Sequence, residues 1–163
     1  MALATLNDVY IDQLRDLSSA NTQAMEMTRR LAETAEDERL RDALSDGVEG
    51  IARGLDTVSR LLEGHGFDTQ ADFCKGMEGL CAEAEAHALN APFGSRLAQD
   101  AMIAAQYQRM TLYAMAGYAN CLALASRLDL MEDARKLELC LDATRRGHQE
   151  MQDLTARTLR AAA

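Results

Sequence analysis

Residues 5–34 read TLNDVYIDQLRDLSSANTQAMEMTRRLAET, and their spacing decides the fold. Tyr10, Leu14, Leu17, Asn21, Ala24, Thr28 and Leu31 recur at intervals of four and three, which puts them on one face of a helix. Thr5 followed by Asp8 supplies an N-cap with an acid in the first turn, where exposed backbone N–H groups and the helix dipole favour negative charge. A long amphipathic helix over 5–34 has to bury its stripe against other helices or a sheet.

The remaining sequence supplies helices. Thr34 and Asp37 offer a second cap, and Leu44, Val48, Ile51, Leu55, Val58 and Leu62 carry a stripe to about Glu63. Gly47, Gly50 and Gly54 each weaken that helix by about 1 kcal/mol relative to alanine, a cost offset where a small residue lets a neighbouring helix approach closely. Gly64-His65-Gly66 ends it, and a polar linker runs to Asp72. A shorter helix near 73–88 carries Phe73, Met77, Leu80, Cys81 and Ala84, and Asn90 to Ser95 form a loop. Ser95 caps a third long helix through Ile103, Tyr107, Thr111, Ala114, Tyr118 and Cys121. Asp129 and Glu132 read as a capping box for the last helix, with Leu137, Leu141, Thr144, His148 and Met151 on one face.

Composition agrees. Aromatic residues are only 4% of the chain, Trp is absent and Pro occurs once, which argues against sandwiches and barrels. The expected architecture is all-α: one domain over 1–163, a four-helix bundle whose short extra helix lies in a crossover between main helices two and three. Net charge is −9 with no basic stripe, so nucleic acid is not an expected partner. The uncharged run between Arg109 and Arg127 is too short and too polar for a membrane span. Cys74, Cys81, Cys121 and Cys140 form no Cys-x-x-Cys pair, and the chain opens without a secretory signal, so a cytoplasmic protein with reduced thiols is expected.

Polar residues interrupt the inward faces at Asn21, Thr111, Thr144 and His148. Taken singly, each threonine can return its hydroxyl to a carbonyl one turn earlier, and the Asn and His can satisfy themselves on neighbours. Here the sequence shows a resemblance. Residues 5–17, TLNDVYIDQLRDL, look like the opening of the YciE/YciF family of bacterial ferritin-like proteins. Cys74-Lys75-Gly76-Met77-Glu78-Gly79-Leu80 is similar to the family's Cys-x-x-Met-Glu-Gly-Leu signature, and Asp100 to Tyr118 resembles its third main helix. Covering about residues 5–155, the resemblance implies a ferritin-like bundle, frequently dimeric and associated with bacterial stress responses.

It also implies where a dinuclear metal centre would lie, and there the chain departs from the pattern. Such a centre takes a Glu from each of two helices and Glu-x-x-His from each of the others. The resemblance places Asn21, Thr111 and Thr144 at substituted ligand positions, and leaves Asp46, Glu49 and His148 as residual metal candidates. The apolar stripe of helix two turns Glu49 towards the opposite side. The expectation is therefore no native metal or other cofactor, no catalytic residues, and a stress-associated protein acting as a homodimer or through an unidentified protein partner. The alternative is an iron or manganese oxidase or peroxide-handling centre. Thiol-based sensing through Cys74 or Cys81, which are seven residues apart and so share roughly one helical face, is a third reading.

Overall fold

A computed structural model describes residues 3–68 and 73–161. They form five α-helices and no strand: α1 (Leu6–Thr34), α2 (Glu38–Gly64), α3 (Lys75–Ala84), α4 (Arg96–Arg127) and α5 (Met131–Ala161). A π-helical turn, Glu85–Leu89, continues α3, closed by Asn90 N donating to Glu85 O at 3.0 Å. Residues 69–72 of the expected linker lie outside the described residues.

The caps explain most of the helix starts. Thr5 Oγ1 accepts from Asp8 N at 3.1 Å while Asp8 Oδ2 accepts from Thr5 N at 2.8 Å, a reciprocal capping box. Asp37 and Ser95 cap α2 and α4 through Leu40 N and Ala98 N. Three expectations need correction. Thr34 does not cap α2; it ends α1, and its hydroxyl donates to Arg30 O. Phe73 precedes α3 and is 61% exposed, and buried Cys74 takes the N-cap, its Sγ accepting from Met77 N. Asp129 opens no capping box: its φ is +59°, and it sits in the turn before α5.

Cross-helix contacts fix the topology. Asp100 at the start of α4 holds Glu36 N and Asp37 N at the start of α2, and Tyr118 further along α4 meets Gly54 further along α2. Helices α2 and α4 therefore run in the same direction, and the intervening chain must return along the bundle. It does so through α3, which packs on α1 and α4. Helix α5 runs back beside α2, its early Asp133 meeting His65 just beyond the end of α2.

The apolar interior forms two clusters. One gathers residues such as Met27, Leu31, Leu44, Ile103, Met110 and Met151, with Met77 from α3. The other, nearer the α2–α5 turn end, gathers Tyr10, Leu14, Val58, Leu62, Cys121 and Leu137.

Candidate functional site

Between those clusters lies a cavity of about 510 Å³, lined from α1, α2, α4 and α5. Asn21, Thr111 and Thr144, from three different helices, all line it. Each is satisfied locally. Asn21, 2% exposed, donates Nδ2 to Tyr118 Oη at 2.9 Å. Thr111 Oγ1 donates to Tyr107 O at 2.9 Å, and Thr144 Oγ1 to Cys140 O at 2.8 Å, each one turn back along its own helix.

The tyrosines explain two of the α2 glycines. A Cβ at Gly47 would lie 2.6 Å from Tyr107 Oη, and one at Gly54 would collide with Tyr118 Oη. The small residues of α2 thus admit phenol rings from α4 rather than the closer approach of a whole helix. Burial raises both phenols further above their ordinary value. Gly76 on α3 receives the Tyr113 hydroxyl in the same way.

The residual metal candidates are not brought together. Asp46 lines the cavity and is exposed. Glu49 does not line it; its carboxylate reaches Arg53 Nη1 at 3.5 Å, with both side chains about three-quarters exposed. His148 also lies off the cavity wall, with its buried Nδ1 unpaired. Glu150, which the sequence reading did not single out, does line the wall.

A dinuclear centre brings about four positive charges, and the lining offers only Asp46 and Glu150 against them, with Arg53, Lys136 and Arg146 on the same wall. Among the described residues no three His, Cys, Asp or Glu side chains come within reach of one ion. The donor set does not fit the centre that the ferritin-like fold implies, and no chemistry is derived through it.

The other sequence candidates have structural surroundings. Cys74 is 2% exposed, with Sγ 3.3 Å from Tyr113 Oη. Burial pushes the Cys81 thiol up to about 11, away from the reactive thiolate that a sensor needs. His65 meets an acid distant in sequence: its Nε2 lies 2.7 Å from Asp133 Oδ2, which also accepts from Tyr10 Oη at 2.9 Å. That cluster ties the ends of three helices, and the 68 residues separating His65 from Asp133 hid it from any spacing argument. His87 pairs on the surface with Glu83. No described helix is long and apolar enough to cross a membrane.

The family model described as a domain of unknown function, DUF892, matches residues 5–163. The chain is 26% identical over 155 residues to Protein YciF of Escherichia coli strain K12, covering 94% of this chain and 92% of that one. The crystal structure of the E. coli stress protein YciF matches with a TM-score of 0.90 at 24% identity, over 97% of this chain and 99% of that chain. YcfI from Rhodopseudomonas palustris matches with a TM-score of 0.86 at 22% identity, over 92% and 94% of the two chains. At these identities the structural matches establish the shared all-α bundle.

Proposed function

From the premise that the chain belongs to the DUF892 family, we propose that it is a ferritin-like, stress-associated bacterial protein that acts by assembly or binding and not by metal catalysis. One observation carries this reading: Asn21, Thr111 and Thr144 all face one cavity in the middle of the bundle, each neutral and already hydrogen-bonded. Neutral oxygens do not offset the charge of two buried cations, and desolvating such ions costs more than Asp46 and Glu150 return.

The test is elemental. Protein purified without chelators, supplied with ferrous iron or manganese and desalted, should retain no stoichiometric pair of metals and show no rapid ferroxidase activity. Two equivalents per chain, lost in Asp46→Ala or Glu150→Ala, would overturn the reading and restore the oxidase alternative.

The proposal extends to a homodimer in the cytoplasm. Leu112, Leu139 and Met131 are half or more exposed on α4 and α5, apolar surface that a second copy would cover. The four cysteines are free, as suits a reducing compartment. Light scattering should give twice the chain mass, and a monomer at every accessible concentration would refute the dimer.

A further inference from the structure

Two glycines hold the cavity open without any packing need. A Cβ at Gly50 would meet only Arg53 Nη2, at 3.9 Å, and one at Gly147 would meet nothing within 4 Å. Both line the cavity, one on α2 and one on α5. In mid-helix each is less favourable than alanine, and no tyrosine fills the space as at Gly47 and Gly54. The open volume of about 510 Å³ falls within the range of small-molecule sites.

Its lining separates into a body and a rim. Ala24, Met110, Ala114 and Met151 are buried and Ile51 is partly so, and the other buried lining residues, such as Asn21, Thr28 and Thr111, are uncharged and hydrogen-bonded, giving an inner wall that is largely apolar and without a charged group. The charged lining residues are Arg53, Lys136 and Arg146 against Asp46 and Glu150. This basic excess runs against a chain of net charge −9. Among the described residues Arg53 and Lys136 pair only with Glu49 and Glu132, exposed acids one turn away on their own helices that do not line the cavity. Arg146 forms no ion pair among the described residues.

We propose that the cavity binds an organic anion with an apolar body, of the class of a medium-chain carboxylate, its chain against the apolar wall and its carboxylate at Arg53 and Arg146. The inference rests on the reading of the cavity as free of a metal centre.

Calorimetric titration of the full chain with decanoate and with decanol tests it, with elemental analysis of the same sample. One decanoate should bind per chain, at least tenfold more tightly than decanol. The double variant Arg53→Glu/Arg146→Glu should weaken decanoate at least tenfold. Gly50→Leu/Gly147→Leu should abolish measurable binding while unfolding at the same or a higher temperature, since a Cβ at either position meets no close neighbour and leucine is a better helix former than glycine. Absence of saturable decanoate binding, equal binding of decanol, or undiminished binding in either double variant overturns the proposal. Two bound metals in the sample would instead sink the metal-free reading beneath it, so the two failures are distinguishable.

Discussion

Asp100 carries a carboxylate into a site only 6% exposed and satisfies it with two backbone donors, Glu36 N at 3.0 Å and Asp37 N at 2.9 Å. Both lie at the entry to α2, where the helix dipole is positive, so hydrogen bonding and field act together. Asp100→Ala leaves two part-buried donors without their acceptor and should cost about 2 kcal/mol, with Asp100→Asn costing less because one acceptor remains. Urea unfolding checks this as a lower midpoint at unchanged slope. The sequence placed Asp100 in the third main helix but gave no sign of partners 63 and 64 residues away. Glycines show the same limit. Gly47, Gly50 and Gly54 look alike in a helical pattern, yet their neighbours differ. Gly47→Ala drives a Cβ to 2.6 Å from Tyr107 Oη and should destabilise the protein, whereas Gly50→Ala enters open space and should stabilise it by up to about 1 kcal/mol. Thermal melts of the two variants moving in the same direction would contradict this account.

At the scale of elements, helix starts were legible because an N-cap is local chemistry. The cap side-chain oxygen and the N–H that donates to it lie three residues apart at Thr5, Asp37 and Ser95, so sequence spacing contains the whole interaction. The α4–α5 turn was misread because Asp followed by Glu at that spacing also fits a cap. Instead, Asp129 terminates α4: its N donates to Ser126 O at 3.3 Å, and Leu130 N reaches back to Ala125 O at 3.0 Å. This is a Schellman ending, and it demands a left-handed residue where glycine is preferred. Gly66, with φ +78°, performs the same task after α2, where Phe67 N reaches Leu62 O at 2.9 Å. Asp129, at φ +59°, does so with a Cβ. Asp129→Gly relieves that crowding, and the gain exceeds the added freedom of the unfolded chain. A stabilisation of about 0.5–1 kcal/mol, or a melting temperature higher by roughly 2–3 °C, is expected. A lower melting temperature would show that the Asp129 side chain contributes more than its strained backbone costs.

Across the whole molecule, the bundle and its crossover followed from periodicity, because four apolar stripes have few ways to cover one another. The cavity did not. Which polar residues share it depends on the register of α2 and α5 against α1 and α4, a tertiary quantity; hence Asp46 and Glu150 line it while Glu49 and His148 do not. The interior also stores titratable groups that no proposed chemistry uses, and these make a prediction about alkali. Burial pushes the Cys121 thiol from an ordinary value of 9.0 up to about 12, and raises Tyr10 and Tyr118 as well. A raised folded-state value means that the native protein holds its proton after the unfolded chain has released it. The stabilising contribution is therefore complete below pH 9 and is lost as pH climbs towards 12. Within that window each such group should lower stability by about 1.4 kcal/mol per pH unit. Urea midpoints should accordingly fall as pH rises from 9 towards 12, the window opened by the Cys121 shift. The fall should be shallower in Cys121→Ala, even though the small void left behind makes that variant less stable at neutral pH. Parallel pH dependences in the two proteins would mean that Cys121 ionises as readily folded as unfolded, and would contradict the desolvation expected of a fully buried thiol in the second cluster.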